Sequence, residues 1–540
     1  MAENSVIQLF NYSVIQMDTK RKLHFFNTTG PCDPDDHYML PPKDRLVGAQ
    51  LHRYISDKLY WVLHAPRQTG KTTFLQSWMR EINHAGVAVA CYVSVERCQG
   101  ITDIERSMPA ICNSIRERAR LHGLPIPELD DVDPAGMLYN ILANWSRAVA
   151  PKPLVVLFDE VDVLQGDAMI SFLRQLRDGF SGRGTGTFPI SIALVGMRDL
   201  KDYITASKDG VPPNPGSPFN IKEDSAVLSN FQKEDIAHLF AQRTAENGQQ
   251  ITPEALDYVY EQSKGQPWIV NSLFKRATLR ILDQKSTETV ELKHVEQARQ
   301  DMIMARETHL DALAIRLEEP RIRSVIEPIL TGEPDPNLAQ SEAFRHCMDL
   351  GLVAVDDGTP VIANPIYREV IARHLTYGQQ LAIPKPDWEW EKPDGSLDMD
   401  RMLQEFQSFW RQNSELWESK TKSGYTEAFP HLLLMAFLQR VLNGGGHIER
   451  DCAAGRGRMD LSIEYEKHRY IIEIKLLRSY HSPEAFRKKG LEQVLKYRDR
   501  YGAQTPTYLI IFDRRPESRT KSWEERISWE QEGDVTVLRC

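Results

Sequence analysis

The sequence has no apolar run approaching the roughly 18 residues that a bilayer-crossing helix needs. Its opening stretch, MAENSVIQLFNYSVIQMDTKRK, breaks every apolar run with polar residues and lacks a secretory signal core. A cytoplasmic protein with no membrane partner is therefore expected. Seven cysteines stand apart with no CxxC pair, which argues against a disulfide framework and a structural zinc site. Internal repeats and low-complexity tracts are missing. Positive charge is not in excess either: 66 Lys and Arg face 75 Asp and Glu, a net of −9, so the whole chain does not carry a nucleic-acid binder's electrostatic footprint. That figure averages several domains, because 540 residues are too many for one core.

What is present is a set of short apolar runs separated by helical patterns. YWVLHA (60–65), VAVACYVSV (87–95), PLVVLFDEVD (153–162) and SIALVGM (191–197) are rich in Val, Ile and Leu without polar alternation. Such strands imply a parallel sheet covered on both faces. From about 225 to 305 apolar residues recur at helical spacing. Residues 306–376 suggest helices around a small hairpin, GLVAVDDGTPVIAN, turning at Asp-Asp-Gly. AIPKPDWEWEKPDGSLD (382–398) is Pro-rich and acidic and looks like a linker.

HAPRQTGKTTF (64–74) follows an apolar strand and opens a helix, the context a phosphate-binding loop requires. Ala65, Pro66, Arg67, Gln68, Thr69, Gly70, Lys71, Thr72 and Thr73 would surround the phosphates of ATP. Backbone N–H groups cradle the β-phosphate, Lys71 reaches the β/γ oxygens and Thr72 offers its hydroxyl to Mg²⁺. Ala65 stands where the motif usually has its first glycine. LVVLFDEVDVL (154–164) ends an apolar strand in Asp159-Glu160, with Asp159 expected to hold Mg²⁺ and Glu160 to orient the attacking water. Asp162 is either a supporting acid or a helix N-cap. In the turn-rich stretch 25–41, His37 or Tyr38 could stack on adenine, or the stretch is a plain surface loop.

LVGMRDL (194–200) with Arg198, and KGQPWIVNSL (264–273) with Gly265 and Pro267, resemble the sensor arginine and Gly-x-Pro motif of the STAND branch of AAA+-like ATPases. The likeness spans about 45–376. It implies that Arg198 and Pro267 meet the nucleotide, and that a helical lid and a winged helix follow the core.

The C-terminal part runs YTEAFPHLLLMAFLQRVL (425–442), then GGGHIERDCAAGRGRMDLSIEY, RYIIEIKLL, LEQVLKYRDRY and TYLIIF. Apolar strands normally exclude charge, yet Asp460, Glu473 and Lys475 sit in or beside two of them. The order resembles the PD-(D/E)xK nuclease superfamily, whose core runs helix, three strands, helix, strand. By that resemblance Asp460 and Glu473 are metal ligands, Glu427 is an additional acid and Lys475 is catalytic. Arg458, Gln493 and Tyr497 support the site or touch nucleic acid. Two carboxylates at neighbouring strand ends suit Mg²⁺ or Mn²⁺, and Lys475 projects on the same face as Glu473. Residues 467–503 hold ten Lys or Arg against four Asp or Glu, a local net of +6 suited to DNA or RNA.

The expected fold class is α/β multidomain. It comprises a lead segment (1–45), a P-loop parallel-sheet ATPase core (46–215), a helical lid (216–305), a winged helix (306–376), a linker (377–398) and a restriction-endonuclease-like α/β domain (399–540). The expected function is an ATP-hydrolysing switch over a metal-dependent nuclease in prokaryotic defence or nucleic-acid processing, with a homo-oligomer and a protein trigger as partners. The alternatives are an ATP-dependent nucleic-acid scaffold and a winged-helix regulator with an inactive nuclease fold.

Overall fold

A computed structural model describes residues 23–47, 49–197, 222–305, 310, 315–330, 337–382, 390–420, 429–442, 446–454, 457–465, 467–477, 482–513 and 515–540. It divides into two compact units, Met1–Ala305 with Asp349–Gly351, and Arg306–Met348 with Leu352–Cys540.

The first unit is built on a six-stranded sheet. Its strands are β1 (Leu46–Val47), β2 (Tyr60–His64), β3 (Val89–Ser94), β4 (Leu154–Asp159), β5 (Ser191–Gly196) and β6 (Lys222–Leu228). They lie in the order β1-β6-β2-β5-β4-β3, with every pair parallel except β1 and β6. All six residues of β4 and of β5 are buried, as expected of strands covered on both faces. Helices α1 (Leu51–Ser56) and α2 (Lys71–Ala85) cover one face, and α3 (Ile104–Leu121), α4 (Pro134–Ala148) and α5 (Gly166–Gly179) the other. The caps are local: Asp103 accepts from Arg106 N ahead of α3, and Asp133 accepts from Ala135 N ahead of α4, which starts with a proline.

Beyond β6 come α6 (Lys233–Asn247), α7 (Pro253–Ser263), α8 (Pro267–Lys275) and α9 (Leu292–Met304). The lead segment packs onto these helices. Phe26 meets Phe240 and Phe274 with ring centroids 5.9 and 5.0 Å away, and Tyr38 donates to Glu246 Oε2 at 2.5 Å.

In the second unit, α10 (Pro320–Leu330) and α11 (Glu342–Asp349) precede a hairpin of β7 (Val353–Asp356) and β8 (Thr359–Ile362), then α12 (Pro365–Ala382). Asp357 and Gly358 have φ of 47° and 78°, the positive pair that a two-residue hairpin turn favours. After α13 (Met399–Lys420) and α14 (Phe429–Leu442) comes a second six-stranded sheet. Its strands are β9 (Gly446–Ala454), β10 (Gly457–Tyr465), β11 (His468–Leu477), β12 (Thr507–Asp513), β13 (Ser528–Glu532) and β14 (Val535–Arg539), ordered β13-β14-β12-β11-β10-β9. Helices α13 and α14 bury one face through Phe406, Trp410 and Leu434. Between β11 and β12, α15 (Pro483–Tyr501) buries the other face through Val494 and Tyr497.

Part of the stretch expected as a linker belongs to this core. Trp390 and Leu397 join the α13–α14 cluster, and Leu397 N donates to Tyr470 Oη at 2.6 Å. Two apolar side chains outweighed the Pro and Asp signals around them, since fully burying one such as Leu397 favours folding by about 1.5–3 kcal/mol.

Candidate functional site

β2 ends at His64, and the loop Ala65–Gly70 leads into α2. Gln68 and Gly70 have φ of 59° and 94°. A Cβ on Gly70 would lie 2.9 Å from Arg45 Nη2, so both conformation and space ask for glycine. Arg45 itself is buried, donates to Thr69 O at 2.7 Å and Ser229 O at 3.0 Å, and lies over the Phe231 ring. Burial lowers its pKa to about 10. Lys71 Nζ donates to Ala65 O at 2.7 Å and Pro66 O at 2.9 Å, and burial holds its pKa below the usual lysine value. Thr73 accepts from Cys32 N at 3.0 Å, which ties the lead segment to α2.

The end of β4 meets this loop. Thr72 Oγ1 donates to Asp159 Oδ2 at 2.6 Å, Tyr92 Oη donates to the same oxygen at 3.3 Å, and Glu160 N donates to Asp159 Oδ1 at 2.9 Å. Burial raises the Asp159 pKa, while the Thr72 bond and the Lys71 charge oppose the rise. Glu160 has a left-handed φ of 59° and accepts from Ser94 Oγ at 3.4 Å. Its pKa rises to about 7, first through burial, then through the charges of Asp159, Glu96 and Asp162. Asp162 lies inside the short turn Val161–Val163, not at a helix N-cap, and lines the cavity beside Glu160. A hydroxyl beside a carboxylate is a ligand pair for a hard cation, and an acid titrating near neutrality suits a general base.

These groups line one cavity of about 630 Å³, a volume in the range of small-molecule sites. Its far end is formed by the lead segment and the lid. Tyr38 lines it, whereas His37 packs edge-on against Phe25. Gly265 has φ 73°, and a Cβ there would fall 1.8 Å from Phe231 O. No other residue fits, and the close approach lets Phe231 N donate to Gly265 O at 2.8 Å. Pro267, the first residue of α8, lines the cavity. Arg198 lies outside the described residues.

In the second unit, Glu473 is 1% exposed and its Oε1 lies 2.7 Å from Lys475 Nζ. Gly490 on α15 makes room here, since a Cβ on it would come within 2.9 Å of Leu509 and 3.5 Å of Lys475 Cγ. Gln493 and Tyr497 follow on the same helix, Tyr497 in the core and Gln493 with its Oε1 buried. Leu461 pairs with Ile472, so the antiparallel register brings the backbone of Asp460 toward Glu473. The side chains of Arg458 and Asp460, and all of Glu427, lie outside what the structure describes. Among the described residues, no three metal-binding side chains cluster.

Arg45, Tyr92, Ser94, Glu96 and Arg118 also line the nucleotide-sized cavity, and sequence reasoning missed them. Ser94 and Glu96 were open to discovery, because ligands in open parallel sheets bind beyond the carboxyl ends of strands. Arg45, Tyr92 and Arg118 carry no local signal.

Residues 53–204 match the family described as the AAA domain, and residues 425–522 match the PD-(D/E)XK nuclease superfamily. Among solved structures, the chain is similar to a Walker-type ATPase of Pyrococcus abyssi (13% identity, 64% of this chain and 99% of that one, TM-score 0.45). It is also similar to Cdc6p of Pyrobaculum aerophilum (13%, 59% and 88%, TM-score 0.32). A third similar structure is the RuvB Holliday junction branch migration motor of Thermotoga maritima (14%, 58% and 87%, TM-score 0.32). No curated protein matches the chain significantly. The chain joins an AAA-type P-loop ATPase domain to a PD-(D/E)XK nuclease domain.

Proposed function

We propose that this chain is an ATP-hydrolysing switch of the STAND type that controls a metal-dependent nuclease acting on DNA or RNA, in prokaryotic defence or nucleic-acid processing. The observation that carries the proposal is the convergence of Lys71, Thr72, Asp159 and Glu160 in one cavity. In this reading the loop amides and Lys71 bind the β- and γ-phosphates, and Thr72 with Asp159 holds Mg²⁺. The bound ion would neutralise developing phosphate charge. Glu160 orients the attacking water and takes its proton. Pro267 and the lead segment close the base end, and Arg198 is assigned to sense the γ-phosphate.

In the nuclease domain, Glu473 and Asp460, with Glu427 in support, are assigned to hold Mg²⁺ or Mn²⁺. Lys475 orients water or balances the charge on the scissile phosphate, while Arg458, Gln493 and Tyr497 support the site or touch nucleic acid. The pairing of a buried Glu473 with Lys475 two residues on supports this reading. We assign residues 306–376, with their helices and hairpin, as the winged helix. A homo-oligomer and a protein trigger complete the switch.

The test incubates the full chain with labelled plasmid, linear duplex, single-stranded DNA and RNA, with and without ATP and with Mg²⁺ or Mn²⁺. Metal-dependent cleavage that changes with ATP is expected. ATP hydrolysis without cleavage of any substrate would favour the scaffold alternative instead.

A further inference from the structure

We infer that the side-chain carbonyl of Asn271 reads the 6-amino group of adenine and makes this site select ATP over other purine triphosphates. The inference rests on the ATP reading of the cavity and extends it to the base.

The cavity has two chemically different ends. At one end lie Lys71, Thr72 and the acids of β4. At the other, Met39, Leu40, Leu239 and Trp268 present apolar surface suited to a flat base. The polar side chains at this second end are almost all committed. Asn27 donates to Gly30 O at 3.2 Å and Pro31 O at 3.3 Å, and its Oδ1 accepts from Thr29 N at 3.0 Å. Thr28 Oγ1 accepts from Lys275 at 2.9 Å, and Tyr38 Oη is held by Glu246.

Asn271 differs. It is 7% exposed and lines the cavity from α8. Its Nδ2 donates to Pro267 O, one turn back, at 2.8 Å. That bond fixes the amide's orientation, because the opposite flip would set two carbonyl oxygens together. Oδ1 is then the atom turned away from its own helix. It is buried and accepts from nothing among the described residues. A buried carbonyl without a donor costs about 1–3 kcal/mol, so the position is explained if a ligand supplies the donor.

The complement of groups decides which base. Among the described residues lining the cavity, the other buried orphan atom is Arg45 Nε, which belongs to the phosphate-loop end through Thr69 O. Among its described side chains, the base end therefore offers one open buried acceptor. Adenine presents an N–H donor at position 6. Guanine and hypoxanthine present a carbonyl oxygen there, which would face Oδ1 acceptor to acceptor. Purine without a 6-substituent leaves Oδ1 unsatisfied.

The test is equilibrium binding to the full chain, by competition against a fluorescent triphosphate, of ATP, GTP and purine riboside triphosphate. Wild-type protein should prefer ATP over purine riboside triphosphate by at least about tenfold, with GTP weaker still. Asn271→Leu should bind ATP and purine riboside triphosphate equally, at about the level of the latter in wild type. The wild-type comparison stands even if the variant fails to fold. Equal binding of ATP and purine riboside triphosphate by wild type would overturn the inference while leaving the ATP site in place. Failure of wild type to bind any of the three would overturn the ATP reading, and the inference with it.

Discussion

Asp159, the last residue of β4, and Glu473, inside β11, are both carboxylates only 1% exposed, yet their surroundings treat the charge in opposite ways. Around Asp159 the chain gathers more acid: Glu160 adjoins it, and Asp162 and Glu96 add to the field that lifts Glu160 to about 7. The nearby cation, Lys71, is turned onto the carbonyls of Ala65 and Pro66. Glu473 instead has Lys475 Nζ at 2.7 Å. Gathering acids beside a buried carboxylate is unfavourable unless cations compensate them, which suits the first arrangement to the metal ion proposed for it. The second is a buried ion pair whose partners already offset one another. In the proposed reading its use for a divalent ion depends on a further acid, assigned to Asp460, whose backbone the register of β10 brings toward Glu473.

This contrast predicts where mutations act. The largest effect is expected at Glu160. Glu160→Gln should slow ATP turnover by roughly 10²–10⁴-fold while keeping ATP bound, since only the group orienting the water changes. A raised pKa keeps Glu160 protonated up to neutral pH, so kcat/KM of the wild type should fall as pH drops through about 7. The residual activity of the variant should lack that limb. Normal turnover in Glu160→Gln would place the base elsewhere.

Lys475→Ala comes next. Loss of one charge-stabilising group should cut nucleic-acid cleavage by roughly 10²–10³-fold. Basal ATP hydrolysis, measured in the same preparation, should stay unchanged, because the residues assigned to cleavage differ from those assigned to ATP hydrolysis. A matched loss of both activities would break the separation drawn between the two regions.

Lys71→Ala should weaken triphosphate binding by roughly a hundredfold through loss of charge-assisted hydrogen bonds. Calorimetry checks this, and an unchanged melting temperature would show that the fold persists. The smallest effect is expected at Tyr92→Phe. It removes one 3.3 Å hydrogen bond to Asp159, and steady-state turnover should change by no more than about tenfold.

Much of the fold was legible because it is written in local patterns. The strand–loop–helix around Lys71, the apolar strand ending in Asp159-Glu160 and the Asp357-Gly358 turn are each set by neighbours in sequence. So is the helix, three-strand, helix, strand order of the C-terminal domain. Gly265 was noticed as part of a motif, but its reason, the carbonyl of Phe231 34 positions earlier, is tertiary. Arg45 stayed invisible for the same cause, since its position carries no pattern and its partners, Thr69 O and Ser229 O, lie far off in sequence. The terminal strands β13 and β14, and the docking of Trp390 and Leu397, also depend on a sheet and helices that must form around them.

The central claim is that the nucleotide held at Lys71 and Asp159 governs cleavage at Glu473 and Lys475. A switch responds to a ligand only through its differential affinity for two states. The direct measurement is the initial cleavage rate of a labelled substrate by full-length wild-type protein in saturating ATP, in ADP and without nucleotide. The Glu160→Gln variant in ATP serves as a state that cannot turn over. The account predicts rates in ATP and ADP that differ by at least about fivefold, with the variant holding the ATP rate constant over time. Equal rates under all three conditions, on every substrate cleaved, would contradict it and leave two independent activities on one chain.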